Sequence, residues 1–414
     1  MKFIDFFAGI GGFRRGMELE GHECVGFCEF VKFAVASYTS MHLITQEQRE
    51  FLSKMPLKQR QKEILKEEYR NGEWYANDIR RVYAGDIPKA DCWCFGFPCQ
   101  DISVAGKQLG FQGNRSSLFF RVMYLIGQLE EENRPTYLFI ENVKNLLSIN
   151  GGWDFARLLI EMEQRGYDAE WQVLNSKDFG VPQNRERCFI IGHLRGRGSA
   201  EVFPVERADR EDNIQIIGRR DGYRRNTQVF APDGITETLD AGQGGGRGHH
   251  VALPCFIDLC NSGTETTSVA RCLQARYQKG YGTYKAQNSG IAIPVLTPDK
   301  AEKRQNGRRF KELDTSCNQG IFVQVSEELT VYATWYEKYQ CYIAIRRLTP
   351  KECFRLQGWT DDYFEKAEFV NSDSQLYKQA GNGVTVNVIR AIAEKLGERD
   401  GYTKSRTLQR QNGA

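Results

Sequence analysis

The sequence predicts an α/β fold, a doubly wound, mostly parallel sheet with a second, smaller β-rich domain. Short apolar runs alternate with helix-like stretches from residue 2 to about residue 192, which is typical of parallel βαβ units. Between about residues 195 and 340, short β-like runs are separated by turn clusters rich in Gly, Arg, Thr, Asn and Gln. We therefore expect a first domain at 1–193, completed by 378–400, a second domain at 194–377 (variable part about 195–340) and a polar tail at 401–414.

The composition indicates a globular protein of balanced charge. The 414 residues carry 56 Lys and Arg against 53 Asp and Glu, a net charge of +3, which excludes a disordered polyelectrolyte. No apolar run approaches the roughly 18 residues of a membrane span. The 12 Cys are scattered along the chain, which favours a reducing compartment over a disulfide scaffold. The first residues enter a strand pattern at once, so we expect no targeting peptide and a cytoplasmic location.

The elements of the first domain follow from the spacing of apolar residues. The strand-sized runs are Lys2–Phe7, Glu23–Cys28, Asp91–Phe95, Thr136–Ile140 and Cys188–Ile191. Three-to-four spacing predicts helices at Phe13–Leu19, Ser117–Leu129 and Phe155–Arg165, and one at Val386–Leu396 that packs back onto this domain. The charged stretch 45–70 predicts two helices split by Pro56, either a solvated excursion or a contact with phosphate or a partner.

A glycine-rich turn follows the first strand and opens a helix. Gly9 and Gly11 let a ligand lie against bare backbone, although a tight turn without a ligand has the same pattern. The glycine spacing is not the G-x-G-x-x-G of a dinucleotide cradle. Glu29 ends the second strand and Asp86 follows a strand-like run at Val82–Ala84. Two acids repel a diphosphate but accept hydrogen bonds from adenosine, which favours S-adenosylmethionine over NAD or ATP. In the alternative interpretation, the two acids are solvated surface residues.

A candidate nucleophile follows the strand Asp91–Phe95. Ligands of open sheets bind beyond the carboxyl ends of the strands, so we expect this loop beside the cofactor. Pro98 fixes the backbone next to Cys99, which gives a thiol a rigid placement. In other interpretations Cys99 is a small buried hydrophobe, or it joins Cys92 and Cys94 in a metal site, for which no second ligand pair of zinc spacing is present. We expect Cys92 and Cys94 to be core residues.

Three further charged residues belong to the same predicted edge. Glu141 follows the apolar run Tyr137–Ile140 and lies where a carboxyl can act as a general acid beside Cys99. Arg185 and Arg187 are two apart where the next strand starts, so both side chains point the same way. They are suited to clamp a carboxylate or a phosphate, or alternatively to form surface salt bridges.

As a set, these residues resemble the DNA (cytosine-5) methyltransferases. The matching motifs, in order, are FAGIGG at 7–12, Glu29, Gly85-Asp86, GFPCQDIS at 96–103, ENV at 141–143, QNRER at 183–187, RLTPKECFRLQG at 347–358 and QAGNGV at 379–384. The variable stretch 195–340 lies where that family has its target-recognition domain. The resemblance implies a Rossmann-like, S-adenosylmethionine-dependent methyltransferase of the bacterial or phage restriction–modification type.

The resemblance also implies residue roles. Cys99 would attack C6 of a flipped-out cytosine and activate C5, which takes the methyl group and leaves S-adenosylhomocysteine. Glu141 would bond to N3, and Arg185 and Arg187 would steady the ring. The implied cofactor-binding residues are Phe7, Gly9, Gly11, Glu29, Phe30, Asp86, Ile87, Pro98 and Asn382. The residues expected to contact DNA are Gln100, Ser103, Arg115, Thr238, Leu239, Arg247 and Lys279, and no metal is expected.

The expected partner is double-stranded DNA, which the protein would modify at a specific sequence. We expect a monomer that associates with the nucleoid through DNA and with no membrane. A cognate restriction endonuclease would act on the same site without forming a complex. Two alternatives are a tRNA (cytosine-5) methyltransferase and a non-catalytic DNA-binding regulator. The long variable segment disfavours the first, and the intact set of Cys99, Glu141, Arg185 and Arg187 disfavours the second.

Overall fold

The computed structural model describes residues 1–97, 118–197, 201–206 and 349–399 (398–399 as backbone), and between residues 216 and 346 it describes the backbone of ten short strands. The chain divides into two compact units. The described residues up to 206 and from Pro350 onwards belong to the first unit, and the strands between Ile216 and Arg346 belong to the second. The helices that follow Pro350 therefore lie in the first unit, whereas the sequence prediction assigned residues up to 377 to the second domain.

The first unit is built on a seven-stranded sheet. The described strands of this unit are β1 (Lys2–Phe6), β2 (Glu23–Cys28), β3 (Trp74–Ala76), β4 (Cys92–Phe95), β5 (Tyr137–Val143), β6 (Tyr167–Asn175), a short β7 (Gln183–Asn184) and β8 (Glu186–Leu194), and all of them except β7 belong to the seven-stranded sheet. The order in the sheet is β3-β2-β1-β4-β5-β8-β6. The pairs from β3 to β5 are parallel, and β8 is antiparallel to β5 and β6. The predicted α/β fold with a mostly parallel sheet is confirmed.

Helices cover both faces of this sheet. They are α1 (Gly12–Leu19), α2 (Lys32–His42), α3 (Gln46–Ser53), α4 (Leu57–Glu63), α5 (Leu118–Gly127), α6 (Trp153–Gln164), α7 (Pro350–Arg355), α8 (Asp361–Glu368), α9 (Asp373–Asn382) and α10 (Val386–Arg399). Apolar residues of α5 and α6 share one core with Trp93 and Phe95, and those of α1 and α10 share another with Phe3. The close approach of α1 to α10 requires glycine at position 16, where an added Cβ would lie 2.6 Å from Ile389.

Two sequence predictions about strands need correction. The run Val82–Ala84 is not a strand, because it links two short 3₁₀ turns, and the third strand of the sheet is β3. The strand β6 was not predicted, since charged and polar residues alternate with its apolar ones along an edge of the sheet. Cys92 and Cys94 are fully buried core residues of β4, as expected. No helix in the described ranges is long and apolar enough to cross a membrane.

The described part of the second unit consists of strands. They are β9 (Ile216–Arg219), β10 (Gln228–Phe230), β11 (His250–Val251), β12 (Cys255–Asp258), β13 (Thr266–Thr267), β14 (Ala270–Arg271), β15 (Ser289–Val295), β16 (Gly320–Gln324), β17 (Thr330–Tyr336) and β18 (Cys341–Arg346). One sheet has the order β11-β10-β9, and a six-stranded sheet has the order β13-β12-β15-β18-β17-β16. All described pairs of the larger sheet are antiparallel.

Candidate active site

The glycine-rich turn after β1 has a left-handed backbone at three positions. Gly9 and Gly11 have φ values of 57° and 85°, and Phe7 has a φ of 54° although it is not a glycine. A non-glycine residue in this region is strained by about 1–3 kcal/mol, and such strain is concentrated at functional sites. A Cβ at Gly9 would meet nothing within 4 Å, so the turn has open space beside its backbone. The turn therefore offers a bare backbone surface to a ligand.

His42, at the end of α2, supports this turn from behind. Its Nε2–H donates to the carbonyl of Ile10 at 2.9 Å, and an added Cβ at Gly11 would lie 2.5 Å from the same nitrogen. The ring also contacts Trp359 and Tyr363, which flank the start of α8. Burial, together with the nearby Arg guanidiniums, lowers the pKa of His42 well below its usual value, so the imidazole is neutral. Sequence analysis missed this residue because its contacts with Ile10, Trp359 and Tyr363 are long-range.

Glu29 lies beyond the carboxyl end of β2, next to the same turn. It is buried, its Oε2 accepts from the Gly9 N–H at 2.8 Å, and its Oε1 accepts from the Val31 N–H at 2.6 Å. Burial raises the pKa of this carboxyl, and the backbone donors oppose the rise. The neighbouring Phe30 is 68% exposed, which is high for an aromatic ring. A buried carboxylate beside an exposed ring is suited to a ribose next to a purine.

The second acid of the pocket is Asp78. Asp86, predicted from the sequence, is exposed in a 3₁₀ turn, and Ile87 is a buried core residue. Asp78 instead lies two residues beyond the end of β3, is buried, and pairs with Arg80 at 2.7 and 2.8 Å. Because β3 is hydrogen-bonded to β2, Asp78 follows the strand next to the one that ends before Glu29.

The available signal for Asp78 was a carboxyl just after an apolar run. That run, Trp74–Ala76, is only three residues long and follows the charged insertion, so it did not stand out as a strand. A cavity of about 460 Å³ opens beside this edge, and its lining includes Trp74, Asp78 and Asp86.

Glu141 and its neighbours lie farther along the same edge of the sheet, at the carboxyl ends of β4 and β5. Glu141, in β5, is nearly buried, and its Oε1 lies 3.0 Å from Nε of Arg187 in β8. An added Cβ at Gly96, just after β4, would lie 3.1 Å from Glu141 Oε2. The side-chain amide of Asn142 donates to the carbonyl of Phe97 at 3.0 Å. The carboxyl and the end of β4 are therefore held together.

Arg185 and Arg187 do not share their described partners. Arg187 pairs with Glu141, whereas the buried Arg185 donates from Nη2 to the carbonyl of Gly383 at 2.7 Å. Arg185 lies between β7 and β8, so the strand alternation assumed for the pair does not apply to it. The Gly383 carbonyl follows directly after Asn382, the exposed last residue of α9. Arg185 thus ties the region of Asn382 to the start of β8.

The remaining predicted residues lie outside the described residues. They are Pro98, Cys99, Gln100, Ser103, Arg115, Thr238, Leu239, Arg247 and Lys279, and the polar tail lies outside as well. Cys99 is two residues beyond Phe97 in the chain. In the described ranges, no group of His, Cys, Asp and Glu side chains is arranged to hold a metal ion.

The donors and acceptors at this edge fit S-adenosylmethionine. Glu29 and Asp78 can accept hydrogen bonds from ribose hydroxyls or adenine N–H groups, and acids that follow two paired strands disfavour a diphosphate. The open face of Gly9 and the exposed ring of Phe30 provide backbone and stacking surfaces. The site thus combines an adenosine-type pocket with a carboxyl–guanidinium pair.

Comparison with known proteins decides the family. The family model of C-5 cytosine-specific DNA methylases matches residues 1–59 and 53–398. The chain belongs to this family. It is a family of S-adenosylmethionine-dependent methyltransferases, and its enzyme class is DNA (cytosine-5) methyltransferase. The family expected from the sequence motifs is confirmed.

Relatives along the whole chain are phage and bacterial methyltransferases. The chain is 28% identical to the orphan methyltransferase M.SPRI of Bacillus phage SPR, with 96% of this chain and 97% of the relative covered. It is 29% identical to the type II methyltransferase M.HhaI of Haemophilus parahaemolyticus, with 96% and 94% covered. Among solved structures, the Entamoeba histolytica methyltransferase EhMeth and the S. pombe methyltransferase Dnmt2 each match with a TM-score of 0.53 and 15% identity, covering 96% of this chain and 98% of theirs. These structures share the fold.

Proposed function

We propose that this protein transfers a methyl group from S-adenosyl-L-methionine to C5 of a flipped-out cytosine in duplex DNA, through a covalent bond between Cys99 and C6. The reaction is sequence-specific and protects DNA in a restriction–modification system, in which an endonuclease would act on the same site. The type II bacterial methyltransferase among the relatives supports this role. The protein acts as a monomer in the cytoplasm.

One observation carries the proposal. Glu141 Oε2 lies against Gly96, and Asn142 holds the Phe97 carbonyl at 3.0 Å. These contacts hold Phe97 next to the Glu141 carboxyl, and Cys99 follows Phe97 by two residues in the sequence. We therefore expect the Cys99 thiol near this carboxyl, where a nucleophile and a proton donor could act together, as acid-assisted addition to a ring requires.

The cofactor would lie across the glycine-rich turn. Its sulfonium supplies an electrophilic methyl group. Glu29 accepts from the ribose hydroxyls, and Phe30 stacks on the adenine. Asp78 takes the role that the sequence prediction gave to Asp86, and Ile79, the residue that follows Asp78 in the chain, takes the role given to Ile87. Phe7, Gly9, Gly11, Pro98 and Asn382 complete the pocket.

The protein groups make cytosine C5 nucleophilic. Glu141 takes up a proton from solvent when the base binds beside it. The Cys99 thiolate then forms a bond to C6 while Glu141 donates that proton to N3, so the ring electrons become available at C5. Arg187 holds the Glu141 carboxyl in place, and Arg185 steadies the same edge from behind. After C5 gains the methyl group, it loses its proton to a base, the C6–S bond breaks to restore the C5–C6 double bond and release the Cys99 thiolate, and N3 returns its proton to Glu141.

The base must leave the helix for this chemistry, because C5 inside a duplex cannot reach a thiol held at a sheet edge. Flipping a base costs a few kcal/mol of stacking and pairing energy. We propose that Gln100, Ser103 and Arg115 contact the DNA beside the flipped base. Recognition of the surrounding sequence is proposed for residues of the second unit that include Thr238, Leu239, Arg247 and Lys279.

A fluorinated substrate tests the proposal. Duplex DNA with 5-fluorocytosine at the target should form a stable adduct with the protein and S-adenosylmethionine, because fluorine cannot leave C5 as a proton does. Bisulfite sequencing of DNA from cells that express the protein identifies the target sequence first. Cys99→Ala should abolish the adduct, and the matched variant Cys24→Ala should retain it. No adduct with the parent protein, an adduct with Cys99→Ala, or methyl transfer to tRNA and not to duplex DNA would contradict the proposal.

A further inference from the structure

The charged stretch 45–70, which we call the insertion, is not only a solvent-exposed segment, because part of it packs against the rest of the first unit. It contains α3 and α4, and Leu52 and Ile64 are fully buried in a small core with Val370, which lies between α8 and α9. We infer that this insertion is a brace that sets the position of α9, and that Arg60 is the positioning residue through which it acts on the cofactor site. The inference rests on the proposed function, since α9 leads to Asn382.

Arg60, in α4, binds backbone carbonyls at the ends of two helices. Its guanidinium donates to the carbonyls of Leu52 at 3.1 Å and Met55 at 2.9 Å, at and just beyond the end of α3. It also donates to the carbonyl of Phe369 at 2.6 Å, the residue that caps the C-terminus of α8. Helix C-termini carry a partial negative charge, so one cation stabilises both ends and joins them.

The ring of Phe369 is held by two guanidiniums. Arg60 lies 4.0 Å from the ring centroid, and Arg49 of α3 lies 5.2 Å from it. Arg49 also donates to the carbonyl of Ser40 near the end of α2. Both arginines belong to the insertion, so the insertion fixes the residue from which the chain continues into α9.

A buried hydrogen-bond network continues from this point to α9. The side-chain amide of Asn371 donates to the Phe33 carbonyl at 2.9 Å and to Ser37 Oγ at 2.8 Å. Ser37 Oγ donates to Gln379 Oε1 at 2.9 Å, and Gln379 Nε2 donates to the Phe33 carbonyl at 2.9 Å. Breaking part of a buried hydrogen-bond network costs free energy. The segment 369–372 and α9 are therefore held in one arrangement relative to α2.

The two ends of this network reach the cofactor site. Phe33 follows Glu29 and Phe30 by a few residues, so its carbonyl anchors the segment that carries them. At the other end, α9 finishes at Asn382, and the next carbonyl accepts from Arg185 at 2.7 Å. In the cofactor-free protein, a shift of α9 therefore displaces the cofactor-side residues together with Arg185, and saturating cofactor restores their positions.

The test compares Arg60→Ala with Lys62→Ala, which removes an exposed cation from the same helix. Arg60→Ala should weaken S-adenosylmethionine binding by about tenfold, within the range of mutations along coupled networks. In steady state the KM for the cofactor should rise while kcat at saturating cofactor and the Kd for DNA stay within about twofold of the parent. Without cofactor, amide hydrogen exchange in residues 371–383 should be faster in Arg60→Ala than in Lys62→Ala.

If Arg60→Ala does not fold, Arg60→Lys replaces it in the test. Lysine keeps the charge but lacks the planar fork of donors with which Arg60 reaches carbonyls on two helices, so this variant should show smaller shifts of the same kind. A lower Tm with unchanged exchange in α9 and unchanged cofactor affinity would overturn the inference, as would a loss of DNA affinity with cofactor affinity intact. If the parent protein bound no S-adenosylmethionine, the proposed function would fail, whereas the exchange comparison would still decide whether the insertion braces α9.

Discussion

Arg187 and Glu141 form an ion pair across two antiparallel strands, with Nε and Oε1 3.0 Å apart. Arg187 in β8 lies opposite Val143 in β5, so it meets Glu141 as a diagonal neighbour on one face of the sheet. Both side chains are shielded from solvent, with 17% and 12% of their surfaces exposed. A shielded pair keeps its geometry better than a surface pair, which suits a carboxyl that has to meet a ring nitrogen.

Removing either member of this pair should reduce methyl transfer much more than cofactor binding. Glu141→Gln should lower the single-turnover rate by about 10²–10⁴-fold, the usual contribution of a positioned general acid. Arg187→Ala should act in the same direction, because it leaves the shielded carboxylate without its partner. Lys144→Ala is the matched control, since it breaks the exposed Lys144–Glu186 pair of 3.0 Å at the same end of the sheet. An equal loss in Lys144→Ala would contradict the assignment.

Asp78 and Asp86 give opposite expectations for cofactor binding. Asp78→Asn should weaken S-adenosylmethionine binding by about tenfold or more, since a hydrogen bond to a charged group contributes about 1.5–3 kcal/mol. Asp86→Asn removes an exposed carboxylate and should leave the affinity unchanged. Isothermal titration calorimetry of both variants distinguishes the two residues. The reverse result would restore the assignment made from the sequence.

The difference between these two acids explains which parts of the site the sequence could predict. Glu29 follows the strand β2, and Glu141 follows the apolar run Tyr137–Ile140 within β5, so their places at the sheet edge were predictable. Asp78 follows a strand of three residues whose position depends on pairing with β2, a long-range contact that local propensity does not report. The different partners of Arg185 and Arg187 were hidden for the same reason, because the Gly383 carbonyl is 198 residues away from Arg185.

Asp5 should make the protein less stable as the pH rises. It is fully buried in β1, its Oδ2 accepts from the Arg14 N–H at 3.3 Å, and burial raises its pKa well above the usual value. The neutral acid is favoured in the folded state. The contribution of Asp5 to the free energy of unfolding is therefore fully present below the unfolded pKa and is lost as the pH rises through the folded pKa. The loss is about 1.4 kcal/mol for each pH unit between these two values.

Asp5→Asn tests this dependence. The amide is neutral at every pH, so the variant should match the parent near pH 4 and be more stable near pH 8. Urea unfolding at both pH values measures the difference, with Asp168→Asn on an exposed carboxylate as the control. A variant that is less stable than the parent at pH 8 would mean that Asp5 is needed there as an anion.

His42 should give the opposite pH dependence and should affect the glycine-rich turn directly. Burial lowers its pKa, so its stabilising contribution is present above about pH 6.5, the unfolded value, and is lost as the pH falls towards the folded pKa. His42→Gln keeps a donor for the Ile10 carbonyl and does not titrate, so it should remove the dependence and largely retain cofactor binding. His42→Leu leaves that carbonyl unsatisfied, at a cost of about 1–3 kcal/mol, and should weaken cofactor binding. If both variants bound the cofactor equally well in calorimetry, the Nε2 hydrogen bond would have no part in shaping the turn, and the aromatic packing around position 42 would be sufficient to hold it.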